Sequence, residues 1–437
     1  MHLSEGRAVR SASEGAEGMS LLQKNCRSLL LGKLKNLKEG HLEFIENDPA
    51  GATVITGFGD PSSPLRGTVR ILNPEAYTRM LFGGSIGAGE GYFLGEWESP
   101  DLTAVVRIMA RNREVLHAMD RAGSALLKPA QKLFHRLHRN TISGAKKNIE
   151  AHYDLGNDFF ELFLDESWLY SSAVFARPGM TLHEAQIEKA DRICRKLALG
   201  PSDHVIEIGT GWGGFSIHAA KKYGCKVTTT TISKAQLEHA REWVAREGLN
   251  DRIRVIYEDY RNLTGTYDKL VSIEMIEAVG LENLDGFMKK CSDLLKPEGM
   301  GVIQAITIRE EHYEAAKNDV DFIQRYIFPG TGICSIGAIL ASAAKGTDLS
   351  LVHSEDFGTH YARTIRLWSE RLRARKEDMM KRGYSGQLYK MWQFYFSYCE
   401  GGFLERSIGV SQLHFAKPRA VFSDPVRPEL QTGGDGS

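Results

Sequence analysis

The residues with the clearest chemical capacity lie in Val205-Ile-Glu-Ile-Gly-Thr-Gly-Trp-Gly-Gly-Phe215, where an apolar run passes into a glycine-rich turn at the mouth of a helical segment. Gly209, Gly211 and Gly214 satisfy a GxGxxG spacing, with Gly213 inside it. Such glycines permit a tight turn and let a nucleotide-like ligand approach the backbone closely. Glu207 stands two residues before the first of them. A carboxylate at that place suits a cationic ligand better than a pyrophosphate. A dinucleotide fold also carries an acid about twenty residues further on, ending the second strand, to hold the ribose hydroxyls. Here that strand reads Lys226-Val-Thr-Thr-Thr-Thr231 and ends without an acid. The pattern therefore favours S-adenosylmethionine, a sulfonium with an amino acid portion, over a nicotinamide cofactor. Asp259 closes the next apolar run; it either accepts a hydrogen bond from an adenine amino group or simply ends a strand in a turn.

The elements that must position these groups follow from the spacing of apolar runs. From residue 157 onward, helical segments alternate with short runs at 205–208, 227–231, 254–257, 269–273 and 301–305. That alternation predicts an α/β architecture, a parallel sheet wrapped by helices with ligands at the carboxyl ends of the strands. Residues 310–345 interrupt it and are expected to form a helical cover over the ligand edge. Upstream, strand-like runs at 42–45, 53–56 and 67–72 precede helical ones, which reads as a small α+β domain. Residues 1–18 and 419–437 have the composition of flexible tails.

Composition bounds the function classes. A chain of 437 residues exceeds one ordinary core, so two domains are expected. Its 55 basic and 55 acidic side chains cancel, which leaves no global basic field of the kind nucleic-acid binders use. The six cysteines are scattered without a CxxC pair, which argues against a zinc site or a disulfide framework and for a reduced, cytoplasmic compartment. No metal site is expected. No apolar run reaches transmembrane length and no signal-peptide core follows the first charges, so a soluble or peripheral protein is expected. The segment 126–148 carries Lys128, Lys132, Arg136, Arg139, Lys146 and Lys147 and no acid, interspersed with Leu127, Leu133, Phe134 and Leu137. It either lies on an anionic bilayer surface or forms an interdomain helix with a solvated face.

His152-Tyr-Asp-Leu-Gly-Asn-Asp158, Tyr170-Ser-Ser-Ala173, the glycine turn, Glu274-Met-Ile-Glu-Ala-Val-Gly280, Tyr326-Ile-Phe-Pro-Gly330, Phe357-Gly-Thr-His-Tyr361 and Ile408-Gly-Val-Ser-Gln412 jointly resemble cyclopropane-fatty-acyl-phospholipid synthases, over residues 145–418. Gly91-Tyr-Phe-Leu-Gly-Glu-Trp97 is similar, more loosely, to the small lipid-facing domain of many bacterial members. The resemblance implies a Rossmann-like class I methyltransferase domain at 149–418, with a parallel-rich central sheet and helical cover. It also implies a small N-terminal domain at 19–118 and a basic linker at 119–148. The implied activity moves a methyl group from S-adenosylmethionine to a cis double bond of a phospholipid acyl chain and then closes a cyclopropane ring. The implied setting is the inner face of the membrane, with the bilayer surface as partner. A homodimer would present two basic segments to it.

An alkene is a feeble nucleophile, so the methyl must be held in line in a dry site. The resulting carbocation calls for aromatic faces and no water, and a base must then remove a proton. In the family that base is understood to be a bound bicarbonate ion. The resemblance assigns Tyr170, Ser171, Gly209, Gly211, Gly213, Thr231 and Gln236, together with Glu207, to the cofactor, and places Asp259 and Tyr260 near its adenine. It assigns Ser172, Glu277, Gln304, Ile306 and Tyr361 to the anion pocket. Read from the residues alone, Glu277 is a helix-capping acid and Tyr361 a core aromatic. Well-known bacterial members have cysteine at Ser172, histidine at Gln304 and often histidine at Ala278. Serine and glutamine donate hydrogen bonds without the charge of a protonated histidine. A methylene- or methyl-branched product without ring closure therefore stays open, as does a small-molecule N-methyltransferase. The loop Gly330-Thr-Gly-Ile-Cys-Ser335 also departs from the usual pattern.

Overall fold

The computed structural model describes residues 19–47, 51–115, 155–317 and 319–421. The basic segment 126–148, the first tail and nearly all of the second lie outside the described residues. The chain forms two compact units, and they are not contiguous in sequence. Among the described residues, one comprises those in 19–115, Val320–Ile327 and Arg373–Glu405; the other comprises those in 155–319, Phe328–Leu372 and 406–421. The expected split at a single linker is thus corrected. Two later segments, separated from the N-terminal region by most of the chain, complete its core.

In the first unit, strands β1 (His41–Asn47), β2 (Thr53–Gly59), β3 (Arg66–Ile71) and β4 (Trp97–Glu98) lie in the order β2-β1-β3-β4. The Gly91–Trp97 motif proves to be a helix stop. Gly95 adopts φ 79° at the end of helix Glu75–Leu94 and donates to the Gly91 and Tyr92 carbonyls. The buried Trp97 that follows donates its indole N–H to the Ala88 carbonyl at 2.8 Å. The late segments supply aromatic packing, with Phe322 and Phe394 rings 4.6 Å apart and Phe322 against Gly89.

The second unit is built on β5 (His204–Ile208), β6 (Lys226–Thr231), β7 (Ile253–Tyr257), β8 (Tyr267–Ile273), β9 (Leu295–Ile308), β10 (Ser350–Asp356) and β11 (Ile408–Ala416), in the order β10-β11-β9-β8-β5-β6-β7. Strands β5 to β9 are mutually parallel, as the alternation predicts, and β10 and β11 add antiparallel. Side chains alternate between two apolar layers. Val205, Val227, Val271 and Val302 pack with Ile193, Phe215 and Ala240 from helices Leu182–Lys196, Gly214–Tyr223 and Lys234–Arg246. Ile206, Leu270 and Ile303 pack with Phe287 and Ile339 from helices Leu284–Asp293 and Ile336–Gly346.

Two expectations need correction here. Strands β10 and β11 are absent from the five strands expected: β10 is half-exposed in alternation, and β11 buries Ser411, Gln412 and His414 among Val410, Leu413 and Phe415, which breaks up its apolar run. The 310–345 region is not one cover. Its helix Phe322–Tyr326 belongs to the first unit, and Ile336–Gly346 packs on a face of the sheet.

Candidate active site

The glycine turn leaves β5 and enters helix Gly214–Tyr223. Gly211 sits at φ 52°, and a Cβ built there would meet nothing within 4 Å, so the turn presents open space on this side. At Gly214 the reverse holds: a Cβ would stand 2.1 Å from the Ser167 carbonyl, so this glycine is demanded by packing. Gly209 and Gly213 share the left-handed backbone of the turn.

Glu207 is enclosed at the carboxyl end of β5. It is 2% exposed, accepts from the Ser216 hydroxyl, and is pushed up to about 7 by burial. Thr231 donates its hydroxyl to the Gln236 amide oxygen at 3.0 Å, so these two assigned cofactor partners hold each other at the end of β6. Both Asp259 carboxylate oxygens accept from the Arg261 guanidinium, at 2.7 and 2.8 Å. The ring of Tyr260 packs edge-on against Phe287. Ser171 accepts from Lys189 at 2.5 Å, and burial pushes that fully buried ammonium down to about 8.

Ser172, Gln304 and Tyr361, three of the residues assigned to the anion pocket, meet on a side chain outside that assignment, Glu274. Glu274 follows β8 with φ 49°, a left-handed backbone uncommon for any residue but glycine. Its Oε1 accepts from the Ser172 backbone N–H at 2.8 Å and from the Gln304 amide at 2.7 Å. Its Oε2 accepts from the Tyr361 hydroxyl at 2.5 Å. The Ser172 hydroxyl turns away to the Ala173 carbonyl, so the backbone, not the side chain, reaches the pocket. Glu277 lies one helical turn on and is buried. The Ile306 N–H donates to its Oε1, and its Oε2 has no hydrogen-bond partner among the described residues. The variant loop is tied to this segment, since Gly332 N–H donates to the Glu277 carbonyl at 2.9 Å. The only sequence signal for Glu274 is a second acid three positions before Glu277, at a strand's carboxyl end.

Gln304 is oriented from behind by a buried row across the sheet. β-Sheet register places Gln304 opposite Gln412, and Gln412 opposite Glu355. Lys196 donates to Glu355 at 2.6 Å and to the Gln412 amide oxygen at 2.6 Å. The Gln412 amide nitrogen donates to the Gln304 oxygen at 3.0 Å. An ammonium has no acceptor, so Lys196 fixes the polarity of the whole row and leaves Gln304 presenting N–H to Glu274.

Aromatic rings link the glycine turn to this carboxylate. Trp212 in the turn lies 4.9 Å from Phe160, Phe160 5.4 Å from Tyr170, and Tyr170 5.2 Å from Trp368. Trp368 is 6.1 Å from Tyr361.

Residues 141–413 match the model of the mycolic acid cyclopropane synthetase family. The chain belongs to this family. It is 36% identical over 366 residues to tuberculostearic acid methyltransferase UfaA1 of Mycobacterium tuberculosis, covering 82% of this chain and 84% of that protein. It is 33% identical over 356 residues to cyclopropane-fatty-acyl-phospholipid synthase of Escherichia coli K12, covering 80% and 87%. Among solved structures, mycolic acid cyclopropane synthase CmaA1 complexed with SAH and CTAB aligns with a TM-score of 0.59 at 32% identity, over 62% of this chain and 98% of that one. The chain is thus an S-adenosylmethionine-dependent lipid methyltransferase.

The charge state of this methyltransferase's pocket sets an expected pH profile. Burial holds Glu274 above the ordinary carboxylate range, against its hydrogen-bond donors and Lys189. Burial and the Glu274 charge push Glu277 up to about 8. The two carboxyls disfavour a shared double charge, and at neutral pH Glu277 is protonated and Lys189 charged. Lowering the pH protonates Glu274, so turnover falls on an acid limb above the usual carboxylate pKa. Raising the pH through about 8 removes protons from both Glu277 and Lys189, so turnover falls again. A pH–rate profile checks this, and Glu277→Gln is expected to make the alkaline limb shallower by removing one of its two ionisations.

Proposed function

We propose that the enzyme transfers the methyl group of S-adenosylmethionine to a cis double bond in a phospholipid acyl chain and closes a cyclopropane ring. The carrying observation is the run of aromatic rings from Trp212 through Phe160, Tyr170 and Trp368 to Tyr361, ending on the hydroxyl that bonds Glu274. Aromatic faces between a sulfonium-binding turn and a carboxylate suit a carbocation formed at the first and deprotonated at the second.

S-Adenosylmethionine supplies the electrophilic methyl group when bound. The chain's own residues would receive it on the open side of Gly211, with Tyr170 and the Thr231–Gln236 pair at the same end of the sheet. The aromatic walls exclude water from the carbocation, and the buried carboxyl pair lies beyond them. Burial of Glu277 beside Glu274 favours a single negative charge in that pocket.

A second reading has one specific support, the 36% identity to a tuberculostearic acid methyltransferase. In it no ring closes: a hydride shift to the cationic carbon followed by loss of a methyl proton gives a methylene branch, and loss of a proton from a chain carbon gives a methyl-branched alkene. The bilayer surface is the proposed partner in both. Leu21, Leu22 and Leu29 are exposed on helix Leu21–Leu34, where positions 22 and 29 share a face. No helix among the described residues is long and apolar enough to cross a membrane. The proposed setting is the cytoplasmic face.

Incubation with S-adenosylmethionine carrying a labelled methyl group and liposomes of cis-unsaturated phospholipid, followed by NMR of the extracted lipid, tests the assignment. Label in upfield ring protons is the expected result. Label in the alkene region moves the assignment to the branched product, and label only on an added soluble amine overturns lipid substrates altogether.

A further inference from the structure

We propose that Glu274 is itself the base of the reaction, and that its carboxylate takes the place a bicarbonate ion would fill. This rests on the methyl-transfer reading above. A glutamate carboxylate and bicarbonate present the same planar O–C–O fork, and a pocket that satisfies one has no donors left for the other. The Ser172 N–H, the Gln304 amide and the Tyr361 hydroxyl all converge on Glu274 at 2.5 to 2.8 Å. The Ile306 N–H, also expected to face the anion, is engaged by Glu277. The residues therefore do not fit a separate bicarbonate.

Three features show that this is a built arrangement and not a side chain wandering into a vacant pocket. Glu274 holds φ 49°, so the backbone accepts left-handed geometry to aim it. Its own N–H is fixed to the Gln304 carbonyl at 2.8 Å. The Lys196–Gln412–Gln304 row, whose direction an ammonium dictates, delivers a donor to Oε1. Three donors on two oxygens favour the ionised carboxylate, which is the form a base needs. Lys196 and Gln412 act here as positioning residues.

The step balances on the chain alone. The methyl leaves the sulfonium, which becomes a neutral thioether, and bonds to one alkene carbon while the other becomes cationic. A Glu274 oxygen then forms an O–H bond as a C–H bond of the new methyl breaks. That electron pair closes the ring, or, once a hydride has shifted from the methyl-bearing carbon to the cationic one, the same deprotonation leaves a methylene branch. The carboxylic acid returns its proton to water after the product leaves.

The test uses the full-length enzyme in carbon dioxide-free buffer with unsaturated liposomes, with and without added bicarbonate. Wild-type turnover is expected to be independent of bicarbonate. Glu274→Gln keeps the shape without the basicity and is expected to lose ~10²–10⁴-fold in turnover, the usual contribution of a positioned base. Glu274→Gly suits the left-handed backbone, opens the pocket, and is expected to be inactive alone and revived by bicarbonate. Binding of ¹³C-bicarbonate, followed by carbon NMR, supplies a readout apart from activity: saturable in Glu274→Gly and absent in wild type. Calorimetry with S-adenosylhomocysteine shows that each variant is folded. Wild-type dependence on bicarbonate, saturable bicarbonate binding by wild type, or near-normal turnover of Glu274→Gln would each overturn the proposal. If wild type labels no lipid under any condition, the functional reading fails, while the bicarbonate titration still decides whether Glu274 fills the pocket.

Discussion

Replacing Gly211 by valine is expected to remove cofactor binding while leaving the protein folded. The residue holds φ 52°, where any L side chain costs about 1–2 kcal/mol and a β-branched one is a clear outlier. That strain alone does not unfold a core, and a Cβ at this position meets nothing within 4 Å, so the fold has room for the side chain. The room is the cofactor's. Valine projects into the space that the ligand needs against the turn, and affinity for S-adenosylhomocysteine is expected to fall at least ~100-fold, about 2.7 kcal/mol. Calorimetric titration beside a thermal melt checks this. Retained affinity within a few-fold would move the cofactor away from the open side of the turn. Gly214→Val is the informative contrast, because its side chain would strike the Ser167 carbonyl and damage the fold itself.

Lys196→Met carries the second large expected effect, and it acts on stability and turnover together. The Lys196 side chain is wholly buried, and its ammonium holds both Glu355 and Gln412. Removing one partner of a buried ion pair costs about 3–5 kcal/mol, because the other charge stays buried. Arg192 also contacts Glu355, so the lower end of that range is expected. The Gln412 oxygen loses its donor and nothing then fixes which way the two glutamine amides point, so Gln304 presents N–H or C=O to Glu274 indifferently. Turnover measured well below the melting transition should therefore fall although the protein is folded. Lys221→Met is the control. That lysine pairs with Glu247 at the surface, where an exposed ion pair contributes about 0–1 kcal/mol. Equal losses in the two variants would remove Lys196 from its positioning role.

What was legible in the chain was local. The run from Val205 to Phe215 reads correctly because strand, turn and helix follow one another without a gap, and each glycine leaves its mark at a fixed offset. The parallel core of the sheet reads for the same reason. Glu274 does not, because its meaning depends on Ser172, Gln304 and Tyr361, which come from three elements far apart in sequence and meet only when β8, β9 and helix Gly358–Ala374 are assembled. Two cues for strands and sites also work against each other in β11. Gln412 and Ser411 look like surface residues in a linear reading, yet they are buried because their partners lie on β9 and β10. Asp259 shows another contact hidden from a linear reading, since its neighbour Arg261 folds back onto its carboxylate.

The interleaved course of the backbone has a consequence for inheritance. Val320–Ile327 and Arg373–Glu405 fold with the N-terminal segment, so no single cut in the gene separates the two units. A deletion of the first 115 residues would strip Arg107 and Arg111 from Glu405, and Val106 from its close seat on Gly401, while leaving the helix Gly386–Leu404 attached and its packing surface bare. Recombination between relatives can exchange loops within either unit, but it cannot trade the smaller one as a cassette. The two must change by matched substitutions along one reading frame.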